Sequence, residues 1–385
     1  SLTTIVEGLF YNCSKLEKLD IPVSVTTIQD HAFGRCKSLK EIIIPLSVTE
    51  IGKESFYECE SLTKISIPFT ITKIGSYAFG GCSSIKEIYI LSSLTTIVEG
   101  LFYNCSKLEK ITISEFVTEI GSKSFYGCES LTKILIPSNV TKIGSNAFYG
   151  CSSIKEISIP SNVTKIKEKT FAFCSSLTHI KIPESVTLIE EFAFEGCSSL
   201  TQIEIPPSIT SIIGLFKDCS SLKIISLPSS LVSIGNDTFN NCSSLDEITI
   251  PPQINSIGYR TFKDCSSLKL ISLPSSITKI EKEIFSGCKS LKQITIPSTV
   301  TDIREKAFND CSSLTHIFIP SSVNKIEEAA FCGCVSLVQV LLPSSITIIE
   351  ESTFRGCTSL TQITLPSSLE KIGPLAFCQC SSLKQ

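Results

Sequence analysis

Nineteen cysteines and three histidines are the residues of this chain whose types could do chemistry. Thiolates bind zinc or attack electrophiles, imidazoles carry protons or metals, and paired cysteines cross-link small secreted domains. The spacing fits none of these. No Cys-x-x-Cys pair exists to hold zinc. The histidines are His31, His179 and His316. The last two share one column of a repeat but lie six coils apart, about 29 Å at strand spacing, too far for one metal site or one catalytic pair. Acidic residues scatter through surface columns, the 19 glycines are spread over turns, and no Gly-rich loop cradles a phosphate. Catalysis needs groups that converge in a pocket. The chain therefore reads as non-enzymatic, with no cofactor and no metal.

What positions the cysteines is a repeat. Seventeen of them, from Cys13 and Cys36 to Cys357 and Cys380, recur every 23 residues, except for 22 between Cys197 and Cys219. Phe stands three residues before each, and Leu three residues after, with Ile at Ile85 and Ile154. Apolar residues return at offsets +6 and +8 from Cys, usually followed by Pro at +9, as in Leu62, Ile65, Ile67 and Pro68. A second apolar pair follows at +12 and +15, as in Val140 and Ile143. The period-2 alternation around +6 and +8 predicts a strand with one buried face, which Pro ends because it has no amide hydrogen to donate. The Val-Thr-x-Ile arm predicts a second short strand or extended arc. Gly144-Ser145-Asn146-Ala147-Phe148 predicts a turn or one turn of helix. The missing residue of the short unit maps to Ile213-Gly214-Leu215, outside the strand.

A single 23-residue coil has nothing to pack against, so its apolar face is hidden only by stacking on equivalent coils. The whole chain, 1–385, is expected to form one solenoid of about 17 units, with a parallel sheet on the order of 77 Å long. Basic and acidic residues, 34 against 37, nearly balance, which leaves no electrostatic footprint for nucleic acid. No apolar run approaches the roughly 20 residues of a membrane helix. The absence of Met predicts a processed or excised piece of a longer protein.

The columns Phe-x-x-Cys-x-x-Leu-x-x-Ile-x-Ile-Pro-x-x-Val-x-x-Ile resemble the BspA-like leucine-rich repeat family of surface proteins from oral bacteria and parasitic protists. The resemblance covers the entire chain. Departures are Leu91 and Ser114 in place of Pro, and the doubled Pro206-Pro207 and Pro251-Pro252. It implies a leucine-rich repeat horseshoe or superhelix, α/β by class but mostly β with short turn-helices, whose parallel sheet lines a concave face. It implies a surface adhesin or antigen binding host or extracellular-matrix protein, at the cell surface or secreted. An intracellular scaffold with reduced cysteines is the alternative.

In-register stacking aims neighbouring ladder thiols the same way, so they are expected to be buried, reduced and inert. Cys332 and Cys378 follow the column Phe directly and are expected to be exposed; they are either neutral or sites of an intermolecular disulfide. Binding information falls on the exposed offsets +4, +5 and +7. These are charged in the first half (Lys18, Glu41, Lys64, Glu87) and neutral with apolar insertions in the second. Phe318, Leu341 and Val338, beside His316 and Gln339 and next to Gln293 and Thr295, form either a contact site or a patch sheltered by curvature. Asn12, Asn104, Asn139, Asn162, Asn236 and Asn241 head Asn-x-Ser/Thr triplets. Neither end carries a polar capping unit, so a homodimer through one terminus is expected.

Overall fold

The computed structural model describes residues 2–384; Ser1 and Gln385, the ends expected to be uncapped, lie outside the described residues. The chain groups into two compact units, Ser1–Ser198 and Ser199–Gln385. Each is a parallel β-solenoid in which one coil supplies two short strands. The face strand comes from Leu-x-x-Ile-x-Ile: Lys18–Asp20, Glu41–Ile43 and Lys64–Ser66 pair in parallel, Lys18 on Glu41 on Lys64. The second comes from the Val-Thr-x-Ile arm, as in Thr4–Ile5, Thr27–Ile28, Glu50–Ile51 and Lys73–Ile74. Side chains alternate across a strand, so Ile42 and Ile65 are buried while Glu41, Ile43, Lys64 and Ser66 face solvent.

Proline sets the length of the face strands. Where Leu91 and Ser114 replace it, the strands Glu87–Ile90 and Lys110–Ile113 run to four residues and pair over four rungs. An amide at that position can join the ladder, whereas Pro cannot. The single long sheet expected from sequence is instead a series of sheets of two to four strands. At 131–136 only an isolated bridge, Lys110 to Lys133, joins the coils. Strands this short make so few ladder bonds that a small rotation between coils opens a rung.

The arc expected to hold a short turn-helix is a turn, and no helix occurs among the described residues. A helix returns each amide to its own chain four residues back. Here alternate amides leave the coil. Asn146, Phe148 and Gly150 donate to Glu168, Thr170 and Ala172 of the next coil at 2.8–2.9 Å, while Ala147, Tyr149 and Cys151 donate three residues back. The alternation is enforced by backbone conformation: the residues two before and two after the column Phe have positive φ in every coil, such as Asn146 (57°) and Gly150 (70°). In the short unit Gly214 keeps this role, donating to Asn236 at 2.9 Å, and Ile212 still pairs with Ile234. The missing residue therefore lies between Ile212 and Gly214.

The core is a set of columns. Phe rings stack with centroids 5.2–6.0 Å apart, from Phe10 to Phe194 in the first unit and from Phe216 to Phe377 in the second. Phe148→Ala is expected to cost about 3–5 kcal/mol, read by hydrogen exchange as lost protection in its own and adjoining coils, with distant coils unchanged. Conversely, the Ser124 hydroxyl is buried with no partner in a column otherwise holding residues such as Ala147 and Ala193. Ser124→Ala should stabilise locally by about 1 kcal/mol in the same measurement.

Candidate functional site

Fifteen cysteines are buried, Cys332, Cys378 and Cys380 are half-buried, and Cys13 is exposed; none is bridged. From Cys36 to Cys197 and from Cys242 to Cys380 each ladder thiol donates to a backbone carbonyl of the preceding coil, as in Cys59 Sγ to Phe33 O at 3.2 Å and Cys151 Sγ to Phe125 O at 3.1 Å. The same Phe33 oxygen also accepts the Cys36 amide at 3.2 Å, so both of its lone pairs are used. Burial pushes Cys105 and Cys174 up to about 12 from an ordinary 9.0, against a smaller lowering by the backbone hydrogen bond. These are proton-holding structural donors, not nucleophiles. Cys332 is less open than its sequence position implies, because Asn309 and Arg355 occupy the same column on either side. Its thiol is raised by burial first, then by the Asp310 carboxylate.

Among the described residues no group of three or more His, Cys, Asp or Glu could hold a metal ion. His31 Nδ1 lies 3.4 Å from Glu54 Oε2 on the outer arc, and His316 Nδ1 lies 3.1 Å from Thr315 Oγ1 on the face, so these imidazoles meet only local neighbours.

The sequence-predicted contact residues do come together. Gln293 pairs with His316 and Thr295 with Phe318; His316 pairs in turn with Gln339, and Leu341 with Thr364. Curvature does not shelter them: Phe318 is 71% exposed, Leu341 56% and Val338 38%. The face strands open onto solvent along their length, and a groove of about 640 Å³ lies over Lys223, Ile224, Glu247, Leu270, Gln293 and Thr295. A groove this open cannot enclose a small molecule as a ligand pocket does. It can accept another polypeptide.

In the first unit the charged columns neutralise themselves across coils, with Lys18–Glu41 at 3.5 Å, Lys40–Glu17 at 2.7 Å and Lys86–Glu109 at 3.5 Å. The Lys40 hydrogen bond holds the Glu17 carboxyl below its ordinary value. Such exposed pairs contribute little stability. The expected contrast between a charged first half and a neutral second half with apolar insertions is too simple, because Ile43, Tyr89 and Leu135 are exposed apolar residues at +7 in the first unit. Sequence reading also missed an adjacent row, Val23, Leu46, Phe69, Leu91 and Phe116, at the corner after the face strand. Its signal was an apolar residue at or beside the proline position, where most later coils carry Ser.

A second missed pattern links residues 23 apart on the outer arc. Tyr11 lies over Gly34, Tyr57 over Gly80, Tyr77 over Gly100 and Phe173 over Gly196. A Cβ on Gly100 would sit 2.2 Å from the Tyr77 ring, so the small residue is required by its neighbour's ring. Tyr103, Tyr126 and Tyr149 stack on one another nearby at 4.5–4.9 Å. Their faces cover each other, which makes them part of the stack rather than a platform for a ligand. Of the Asn-x-Ser/Thr triplets, every Asn except half-buried Asn236 is exposed, and the Asn139 and Asn162 amides each donate to a carbonyl of the preceding coil at 2.9 Å.

Comparison with known proteins gives a consistent picture. A family profile described as "BspA type Leucine rich repeat region" matches residues 3–132, 95–214, 213–334 and 301–385. Among solved structures, the chain is similar to a leucine-rich repeat protein from Bacteroides ovatus, with 32% identity and a TM-score of 0.65 over 95% of this chain and 85% of that one. It is also similar to a leucine rich cell surface protein from Faecalibacterium prausnitzii, with 28% identity and a TM-score of 0.51 over 89% and 86%. No curated protein matches it.

The thiol geometry makes two expectations. In the native protein a thiol reagent should label Cys13, Cys332, Cys378 and Cys380 quickly and the fifteen buried thiols only on unfolding. A folded-state pKa raised above the unfolded value contributes stability that is complete below the unfolded pKa and lost as pH rises. The midpoint of thermal unfolding should thus be flat from pH 6 to 8 and fall between about 9 and about 12. The loss is about 1.4 kcal/mol per pH unit for each thiol that ionises on unfolding.

Proposed function

The chain belongs to the BspA-type leucine-rich repeat family, and on that premise we propose a non-catalytic cell-surface adhesin or antigen that holds a protein ligand against its face strands. The observation that carries the reading is the in-register patch of Phe318, Leu341 and Val338 on an open sheet, with His316, Gln339, Gln293 and Thr295 beside it. An exposed aromatic ring with apolar neighbours and few charges matches the buried centre of a protein interface, where aromatics are enriched and charged residues depleted. No ionic group need be desolvated at the patch centre, and the sheet beneath it is held by buried Ile294, Ile317 and Val340. A host or extracellular-matrix protein is the ligand class that suits such a surface, and the similarity to a bacterial cell surface protein supports that location.

The unbridged cysteines do not favour an intracellular scaffold. Ladder thiols buried and hydrogen-bonded in register stay reduced in either redox compartment, because their side chains run parallel rather than toward each other.

Binding to immobilised fibronectin, laminin and collagen, measured by surface plasmon resonance, tests the reading. The Phe318→Ala, Leu341→Ala double variant is expected to bind at least about tenfold more weakly with an unchanged far-UV spectrum. Equal binding by the variant, or no binding by the parent to any matrix protein, would remove support for the patch. Labelling of intact cells with a membrane-impermeant reagent tests the location.

A further inference from the structure

The corner after the face strand differs in the first five coils from every later one. Val23, Leu46, Phe69, Leu91 and Phe116 stand there on consecutive coils, 61–84% exposed. The row survives the two coils that lack the usual proline: Leu91 occupies the proline position itself, and Phe116 stands two residues beyond Ser114. After Pro137 the same corner carries exposed Ser138 and Asn139, then Ser161 and Asn162, then Glu184. An exposed Phe or Leu contributes nothing to the stack. Five on consecutive coils, flanked by Ile43, Tyr89 and Leu135 on the adjoining face, make an apolar patch at the upper end of what a monomer shows to water, a size that is often functional.

Three features of the row point to its occupant. The first is charge: across 22–25, 45–48, 68–71, 91–94 and 114–117 only Glu115 is charged. Two such rows can therefore meet without like-charge repulsion, and a strongly charged partner would find nothing to pair with. The second is period. The coils stack through parallel strand pairs, Thr4 on Thr27 on Glu50 on Lys73, so Val23, Leu46 and Phe69, which share one position of the repeat, recur at about 4.8 Å, with Leu91 and Phe116 displaced from it by one residue. A single strand repeats its side chains on one face at about 6.8 Å and a helix rises about 5.4 Å per turn. Over Val23, Leu46 and Phe69 a strand drifts out of step by about 4 Å and a helix by about 1 Å, whereas a second copy of the same row presents the same spacing. The third is area. At roughly 100 Å² per protruding side chain, five bury on the order of 1,000 Å² in total when two rows meet, the low end of specific interfaces.

We infer that this row is a self-association surface: two copies of the chain pair through Val23, Leu46, Phe69, Leu91 and Phe116, related by a two-fold axis that runs the rows antiparallel. Isologous pairing of this kind closes at two subunits. An area at the low end gives a weak, reversible dimer, which on a crowded cell surface would present two copies of each face strand. The inference uses none of the residues of the Phe318 patch and stands whether or not that patch binds a matrix protein.

Sedimentation velocity of the 385-residue chain across about 1–200 µM tests it. A monomer–dimer equilibrium is expected within that range. The Leu46→Asp, Phe69→Asp variant, which buries four carboxylates in the dimer, should raise the dissociation constant by more than about tenfold, with far-UV spectrum and thermal midpoint unchanged. Ser161→Asp, on the same column beyond the row, should leave it unchanged. A chain that stays monomeric throughout, or a dimer as strong in the Leu46→Asp, Phe69→Asp variant as in the parent, overturns the inference. So does a monomer that co-sediments through the row with phosphatidylcholine vesicles, since lipid would then be what covers it.

Discussion

Inside each unit's stack a Phe ring is covered by the Phe of the coil on either side, and nothing else in its own coil can cover it. That mutual coverage is the constraint on which the rest depends. A 23-residue coil exposes nearly all of its apolar side chains when alone, so it exists only as a member of a row. Leu, Ile and Val columns follow the same rule, and each must keep its size and direction because its neighbour above and below has the same ones. A position that strayed would clash on one side and leave a gap on the other, and both departures are costly in close-packed cores.

The polar groups obey the stack as strictly. Alternate amides in the turn arc donate to the next coil, and the ladder thiols donate back to the Phe carbonyl of the coil before. Cysteine suits that position because it is small, largely apolar and able to give one weak hydrogen bond. A residue type associated with reactivity is used here for its volume and a single S–H. Threonine hydroxyls such as Thr72 and Thr118 are occupied the same way, on the carbonyls of Thr49 and Thr95. Regular rows of thiols, hydroxyls and tyrosines thus belong to the scaffold, however site-like they look. Recognition is left to the few columns that make no stacking contact, the exposed face-strand positions and the corner beyond them. There the units are free to differ, and they do: paired Lys and Glu in the first unit, and mostly uncharged residues around Phe318 and Leu341 in the second.

Much of this was legible from residues alone, because a strict period turns one local inference into seventeen. Phe, Cys, Leu and the paired Ile columns identify the buried positions, Pro at +9 ends the strand, and the same-facing thiols rule against bridges. Leu91 and Ser114 were visible as departures, and the two strands they lengthen follow from the restored amide. The Gly, Asn and Asp residues before Cys (Gly81, Asn104, Asp218, Gly287) were a readable signal of left-handed backbone, and that signal excludes the short helix. What could not be read was any property set by two coils at once. Whether Phe318 is sheltered or open, whether Gly100 must be small because Tyr77 lies over it, and whether sheet rungs close at Lys133 all depend on how a coil rests on its neighbour. The sequence determines the content of each coil, since burial and hydrogen bonding repeat with the chain. Only the tertiary structure decides what the spaces between coils expose, because a rotation too small to alter any column moves a surface side chain into solvent or out of it.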